Sequence, residues 1–210
     1  EVGETLEVVA REVVLDLTLP ESVRVAPLSP FRVEQSPGRA RVYLGDMLSG
    51  QVLSVVLRVT FDFGEVGREV GLVVRVVDRD RAFETALPAP EPVTLAWQYA
   101  DHAANDVQPR DRDVDRVVAR LFAERARQDA VNLNREGRYG EAGDLLARVR
   151  VRIEEYAGND LELRETAQNL HEEAPAYSAP MAEMDLKRRH FAASNSSRMR
   201  TADGKSMRRP

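Results

Sequence analysis

The spacing of apolar residues changes once along this chain, near residue 100, and that change limits the fold more than any other feature. Before it, apolar and polar side chains alternate, as in residues 13–19, Val-Val-Leu-Asp-Leu-Thr-Leu. Residues two apart lie on one face of a strand, so this pattern is typical of half-buried β-strands. Beyond residue 100 the apolar period becomes that of an amphipathic helix. We therefore predict an α+β chain with its strands first.

Residues 1–100 are predicted to form an antiparallel β-sandwich of about seven strands. Short strands joined by Pro, Gly, Ser and Asp, without intervening helices, favour that architecture. The predicted strands are 13–19, 23–26, 31–35, 40–44, 51–63, 68–78 and 92–100. The predicted core residues are Leu44, Leu57, Val59, Val74, Leu95 and Trp97. We expect tight connections at Asp46 and Gly50.

The remaining residues are predicted to form a linker and a small helical domain. The polar residues 101–112 are the predicted linker, and residues 113–175 are a helical hairpin with a third helix. Residues 176–210 are a short helix and a basic C-terminal tail. The predicted helices are 113–133, 141–156, 161–173 and 181–194, with a loop at 175–180. The apolar stripe expected on the first helix is Val114, Val117, Val118, Leu121, Phe122, Arg125 and Ala126.

The turn between the first two helices has a tetratricopeptide character. Residues 133–142, Leu-Asn-Arg-Glu-Gly-Arg-Tyr-Gly-Glu-Ala, place Gly and Tyr where two antiparallel helices pack closely. The pattern occurs once, whereas a solenoid needs about three repeats to bury its faces. A single hairpin packed on the third helix is therefore favoured over a peptide-binding superhelix.

Charge is unevenly distributed along the chain. Residues 187–210 contain eight Lys or Arg and one Asp, a net charge of +7, so the overall net charge of −5 leaves −12 on residues 1–186. The tail is interpreted as a solvated terminus. The alternative is an arm that contacts an acidic protein surface or nucleic acid, although no aromatic residues are interleaved with its basic ones.

The carboxylates of Asp111, Asp113 and Asp115 have the spacing of a calcium-binding loop. The rest of that motif is missing, because Arg116 stands where the loop needs Gly and Phe122 where it needs a bidentate Glu. Acidic residues also stabilise the first turn of a helix. We therefore interpret this run as a charged helix start.

No catalytic, cofactor-binding or metal-binding residue is predicted in this chain. It has no Cys, which excludes disulfides and thiolate chemistry, and its imidazoles, His102, His171 and His190, have no metal-ligand spacing. Asp101 and His102 could pair as acid and base, but no nucleophile motif accompanies them. No glycine-rich phosphate loop is present. Trp97 is expected to fill the core, with a ligand platform as the alternative.

Membrane insertion and secretion are not expected. No run approaches the roughly 18–20 apolar residues of a spanning helix, and the opening Glu1-Val2-Gly3-Glu4 lacks the features of a signal peptide. A cytoplasmic location is expected. The absence of an initiator Met suggests a piece of a longer protein.

Four segments resemble the region that follows the von Willebrand factor type A domain in a group of bacterial proteins, often labelled calcium-activated chloride-channel homologues. The segments are 14–23, 44–59, 134–142 and the basic-aromatic run 187–191. The resemblance implies a non-catalytic scaffold that contacts protein partners and the adjoining A domain. In such families the A domain binds Mg²⁺ or Ca²⁺ through D-x-S-x-S, which this chain lacks.

The resemblance and the residue patterns leave two alternative functions open. One is an accessory ligand-binding β-sandwich of an enzyme, and the other is nucleic-acid binding through the basic tail. For the leading interpretation, we expect an uncovered strand or apolar face near residues 4–19, where another part of the protein docks.

Overall fold

A computed structural model describes residues 7–86 and 88–197 and divides the chain into two compact units. The first unit ends at Pro109 and contains the strands, and the second begins at Arg110 and is helical. The α+β class predicted from the change of period is therefore confirmed. Most of the predicted basic tail, from residue 198 onward, lies outside the described residues.

The strand unit is an antiparallel five-stranded sheet with an additional two-stranded ribbon. Its strands are β1 (Val8–Thr18), β2 (Arg24–Pro27), β3 (Arg32–Ser36), β4 (Arg39–Leu48), β5 (Leu57–Thr60), β6 (Glu69–Val77) and β7 (Val93–Gln98). The sheet has the order β3-β4-β1-β6-β7, and β2 pairs with β5. Each strand overlaps one predicted range. β1 pairs with β4 from Val8 to Thr18 and with β6 over residues 14–18. The open strand expected near residues 4–19 is therefore wrong for residues 14–18, whereas residues 8–13 pair with β4 alone and residues 4–6 lie outside the described residues.

One face of the sheet and the ribbon share a single apolar cluster. Leu17 of β1, Val42 of β4 and Leu72 of β6 are buried beside Val23 and Val25. Burying one such side chain contributes about 1.5–3 kcal/mol. The period-two pattern thus builds a sheet with one apolar face, and residues of the β2–β5 ribbon belong to the same apolar cluster.

The predicted core is partly correct. Leu44, Leu57, Val59, Val74 and Trp97 are partly buried against the apolar cluster. Leu95, by contrast, is 42% exposed, so its assignment to the core was wrong. The reason is its place on β7, the last strand of the sheet, which within residues 7–86 and 88–197 pairs with a strand on one side only.

The predicted tight connection at Asp46 is also wrong. Gly45 and Asp46 lie inside β4, opposite a bulge in β1 where Glu12 has a left-handed φ of 51°. The Oδ1 atom of Asp46 accepts a hydrogen bond from the backbone N–H of Glu12 at 2.9 Å. This carboxylate satisfies an amide that the bulge removes from the ladder. Gly50 does lie in the turn after β4, with φ 70°.

Two short helices belong to the strand unit, α1 (Ala82–Thr85) and α2 (His102–Asp106). The second lies within residues 101–112, which were predicted to be the linker. Asp101 caps it, with its side chain accepting a hydrogen bond from the backbone N–H of Ala104 at 2.8 Å. The boundary between the units follows at Pro109.

The helical unit consists of α3 (Arg112–Arg135), α4 (Tyr139–Ala157), α5 (Leu161–Tyr177) and α6 (Glu183–Ser197). Helix α3 packs against the other three, and α4 also packs against α5. The largest fully buried side chains of this unit are Leu146, Ile153, Leu163, Leu170 and Tyr177. The predicted hairpin and third helix correspond to α3, α4 and α5.

The buried stripe of α3 differs from the predicted one. Ala119, Ala123, Ala126 and Ala130 are buried, whereas Val114 is 51% exposed. Three helices approach α3, and small side chains allow their backbones to come close. The prediction was correct for Leu121 and Ala126, which are buried, but it followed the larger apolar residues and missed the other alanines.

Helix α5 does not end before Pro175 as predicted but continues to Tyr177. Proline removes one hydrogen-bond donor from the helix, so the final turn needs other support. The buried side-chain amide of Asn134 supplies it, donating to the carbonyl oxygens of Tyr177 at 2.9 Å and Ala179 at 2.7 Å. The predicted loop is shortened to the residues between α5 and α6.

Candidate interaction surfaces

The three aspartates with calcium-loop spacing lie at the start of α3. Asp111 is its N-cap and accepts a hydrogen bond from the backbone N–H of Asp113 at 3.0 Å. Asp113 pairs with Arg116 at 2.8 Å, and the buried Asp115 accepts two hydrogen bonds from Arg110 at 2.6 and 2.9 Å. Each carboxylate thus has a capping or ion-pairing role in the helix start.

The histidines are placed on three separate helices. His102 begins α2, His171 lies in α5 and His190 in α6. Within residues 7–86 and 88–197, no group of three or more His, Asp or Glu side chains has the arrangement of a metal site. The side chain of Asp101 caps α2 instead of facing a nucleophile. The structure therefore brings none of these residues together into one site.

Trp97, the alternative ligand platform, is part of the apolar cluster. Its ring centroid lies 5.0 Å from that of Phe61, with the planes tilted by 56°. This tilted geometry is favourable for aromatic pairs. The side chain is partly buried and packs against the cluster, so it does not present a free stacking face.

The two edges of the five-stranded sheet differ in composition. β3, at one edge, has the sequence Arg-Val-Glu-Gln-Ser. Its Gln35 side chain also bridges to the ribbon, accepting from the N–H of Val25 at 3.2 Å and donating to the carbonyl of Val23 at 2.6 Å. Charged residues and covering contacts prevent an edge strand from pairing with another chain. The β3 edge is protected in both ways.

β7, at the opposite edge, lacks such protection. Its sequence, Val-Thr-Leu-Ala-Trp-Gln, has no charged residue and no Pro, and residues 93–96 are all exposed. Val93 is 55% exposed and Leu95 42%. Among the described residues, the strand that pairs with β7 is β6 alone, so its outer backbone groups are open to a further strand. We call residues 93–96 the open edge.

The far end of β7 is held firmly in place. Tyr99 follows the strand, and its hydroxyl donates a hydrogen bond to the carbonyl of Asp62 at 2.8 Å. Next to the strand, Gly71 of β6 approaches so closely that an added Cβ would lie 2.9 Å from the carbonyl oxygen of Leu95. The open edge is therefore a well-positioned strand whose exposed side carries apolar residues.

The sheet face opposite the apolar cluster carries a row of alternating charges. Glu34, Arg41, Asp16 and Arg75 are cross-strand neighbours on four successive strands. Arg39 makes a two-point ion pair with Asp16, with Nε 2.7 Å from Oδ1. This hydrogen bonding holds the pKa of Asp16 below its ordinary value of 3.8, and burial opposes the effect. The row stabilises strand pairing on this face.

In the helical unit, the tetratricopeptide-like turn is a close packing point. Gly137 has a φ of 77°, a left-handed conformation that favours glycine. Gly143, on α4, faces Ser178, and an added Cβ would lie 1.8 Å from its Oγ. Gly143, just after this segment, thus serves the packing of α4 against the end of α5, whereas Gly137 serves the turn itself.

A buried ionic group joins α3 to α5. Arg127 donates two hydrogen bonds to Glu173, at 2.8 and 2.9 Å, and a third to Glu124 at 2.9 Å. Burial raises the pKa of Glu124, and the nearby Arg127 charge opposes that shift. All three side chains are less than one third exposed. We assign this group a structural role, because the Arg127 guanidinium joins a carboxylate of α3 to one of α5.

The basic-aromatic run 187–191 lies on α6 and divides between solvent and core. Lys187, Arg188 and Phe191 are exposed. The Arg189 guanidinium instead lies 4.8 Å from the ring centroid of the buried Tyr177, a cation–π contact. Part of this basic run therefore packs within the helical unit.

Comparison with known proteins gives little further information. No family model matches this chain, and no curated protein matches it. A solved structure described as "von Willebrand factor type A from Catenulispora acidiphila" is similar with a TM-score of 0.47 and 12% sequence identity, over 95% of this chain and 47% of that one. The chain thus spans about half the length of that protein.

None of the helices within the described ranges is long and apolar enough to cross a membrane.

Proposed function

We propose that this chain is a non-catalytic protein-interaction region that binds a partner by strand addition at the open edge of β7. The observation that best supports this proposal is the contrast between the two edges of the sheet. The β3 edge is charged and bridged to the ribbon, whereas the β7 edge is uncharged, exposed and apolar. An extended partner segment would become a sixth strand next to β7. Main-chain hydrogen bonds supply affinity in this mode, and alternate side chains supply specificity.

The partner segment is expected to carry apolar residues at alternate positions. Val93 and Leu95 are on the same face of β7 as Trp97, which packs on the apolar cluster. An added strand would extend that face and cover both exposed side chains. The opposite face of β7 presents Thr94 and Ala96, so the partner's other face can be polar.

The proposal also includes the architecture of the strand unit, the neighbouring domain and the kind of protein in which the region occurs. The five-stranded sheet and the β2–β5 ribbon would act as the two layers of a β-sandwich, which their shared apolar cluster supports. The region would adjoin a von Willebrand factor type A domain in a cytoplasmic bacterial protein. Support for that placement comes from the resemblance of residues 14–23, 44–59, 134–142 and 187–191.

Selection from a displayed library of random 12-residue peptides tests strand addition with no partner sequence specified in advance. Peptides are selected on the wild-type chain, with counter-selection on the Val93→Lys/Leu95→Lys double variant. We expect enriched sequences with apolar residues at alternate positions. Their affinity should fall at least about tenfold on the double variant, because charged edge residues oppose strand pairing.

The matched control is Val33→Lys, on the protected β3 edge. Val33 is 37% exposed, so the added charge is similar in accessibility to that of the β7 substitutions. The selected peptides should bind this variant as tightly as the wild type. Peptides that bind the β7 double variant equally well would show that strand addition at β7 is not the mode of binding.

A further inference from the structure

The loop between β5 and β6 displays an aromatic side chain entirely in solvent. Phe63 is 108% exposed relative to a reference Phe, and Val66, three residues later, is 68% exposed. Single exposed apolar residues are common on protein surfaces. Full exposure of a Phe beside an exposed Val is informative when the loop that carries them is rigidly held.

This loop is fixed by contacts on both of its sides. The Tyr99 hydroxyl donates to the carbonyl of Asp62 at 2.8 Å, and the N–H of Gly67 donates to the carbonyl of Tyr99 at 2.8 Å. A turn hydrogen bond of 3.1 Å joins the N–H of Arg68 to the carbonyl of Glu65. The backbone is therefore ordered before any partner arrives, which reduces the entropy cost of binding.

Gly64 determines how closely the loop approaches Tyr99. A Cβ at residue 64 would lie 2.5 Å from the Tyr99 ring, a distance that real structures do not tolerate. Glycine thus allows the ring to pack against the loop backbone immediately after Phe63. The phenyl group points away from a fixed base, as an anchor residue does.

Carboxylates flank the exposed side chains. Asp62 precedes Phe63 and Glu65 precedes Val66, and both are exposed. Among the described residues, neither makes an ion pair within 4.0 Å. Their charge is therefore available to a partner, and it disfavours a surface of anionic lipid.

We propose that the loop 62–67 is a second docking site, in which Phe63 inserts into an apolar pocket of a protein partner rimmed by Lys or Arg. Aromatic side chains that fill such pockets are typical binding hot spots, and a surrounding polar rim contributes orientation and association rate. This site rests on observations independent of the open edge of β7, so either can fail without the other.

The test begins with the photo-crosslinker p-benzoylphenylalanine placed at position 63 of the full chain, in extract of the cells that make the protein. The matched control carries the same group at Phe191, which is 56% exposed on α6. We expect a discrete protein adduct from position 63 that the control does not give. The adduct is identified by mass spectrometry and the partner is purified.

The affinity of variants of this chain for the purified partner then measures three contributions separately: the Phe63 side chain, the loop position set by Gly64, and the two carboxylates. Phe63→Ser should weaken binding by about 30-fold, the effect of losing a hot spot. Gly64→Ala should weaken it at least about fivefold by displacing the loop, with Phe63 still present. Asp62→Asn/Glu65→Gln should weaken it about threefold at low salt and not at high salt. Phe191→Ser and Val93→Lys/Leu95→Lys leave this contact intact.

Four results would overturn the proposal. They are the absence of an adduct specific to position 63, an unchanged affinity of Phe63→Ser, a crosslinked pocket without basic residues at its rim, and Phe63-dependent binding to vesicles of phosphatidylcholine and phosphatidylserine. If no peptide selected on the wild type depended on Val93 and Leu95, while Phe63→Ser weakened binding of the crosslinked partner as expected, the result would count against the open edge alone.

Discussion

Close backbone approach at single glycines sets the strictest limits on substitution in this chain. Gly143→Ala places a methyl group 1.8 Å from Ser178 Oγ and 3.3 Å from the carbonyl oxygen of Ala174. We expect this change to destabilise the helical unit by about 1–3 kcal/mol, the usual cost of overpacking. Chemical unfolding followed by circular dichroism at 222 nm measures it.

Gly140→Ala is the matched control, because nothing lies within 4 Å of a Cβ at that position of the same helix. Alanine is a better helix former than glycine by up to about 1 kcal/mol, so this variant should be as stable as the wild type or more stable. If Gly143→Ala behaved like Gly140→Ala, the close contact between α4 and the end of α5 would be disproved.

Asn134 is the residue whose side chain makes the most demanding contacts in the helical unit. It donates to the carbonyls of Tyr177 and Ala179 and accepts from the N–H of Met181 at 3.3 Å. Asn134→Ala leaves these backbone groups without their partner, so we expect a loss of about 2–4 kcal/mol of unfolding free energy. Asn132→Ala, an exposed position on the same helix, should lose less than about 0.5 kcal/mol.

A pH dependence is expected from Asp16. The ion pair with Arg39 lowers the pKa of Asp16 in the folded state, so its stabilising effect is present above the pKa of the unfolded chain and is lost as the pH falls through the folded value. The stability advantage of wild type over Asp16→Asn should therefore be greatest near pH 7 and should shrink below about pH 4.

Trp97 fluorescence reports this unfolding, since the only Trp lies in the strand unit. Asp62→Asn serves as the control at an exposed carboxylate without an ion pair in the described structure. An advantage of wild type over Asp16→Asn that stays constant from pH 7 to pH 2 would contradict the role of the Arg39 pair.

At the scale of elements, the sequence predicts whether a segment is a strand or a helix better than it predicts what surrounds that segment. Period-two alternation places all seven strands because side chains two apart face one core. The same alternation cannot distinguish a central strand from an edge strand, so Leu95 was assigned to the core. The signal for the open edge was nevertheless present, in the absence of charge and Pro from residues 93–98.

The ends and the buried faces of helices are likewise hard to predict from the local sequence. A Pro ordinarily ends a helix, yet α5 reaches Tyr177, where hydrogen bonds from Ser178 to the carbonyl of Ala174 and from the distant Asn134 side chain to the carbonyl of Tyr177 hold its last turn. The buried face of α3 is made of alanines, because three helices pack around it. Both features depend on contacts between different helices, which no local pattern reveals.

At the scale of the whole molecule, each unit has a complete apolar cluster of its own. We therefore expect polypeptides comprising residues 1–109 and 110–210 to fold separately, since an independent core is what defines a domain. Each should unfold cooperatively in urea and show the midpoint of the corresponding transition in the full chain. A fragment without a cooperative transition would contradict the division at Pro109.

The central claim is that β7 accepts an additional strand, and amide hydrogen exchange of residues 93–98 tests it most directly. The full chain is compared alone and with a peptide from the library selection. We expect alternate amides of β7 to become at least about tenfold more protected with the peptide bound, because every second N–H of an edge strand points outward. Unchanged exchange in β7, with new protection confined to other elements, would contradict it.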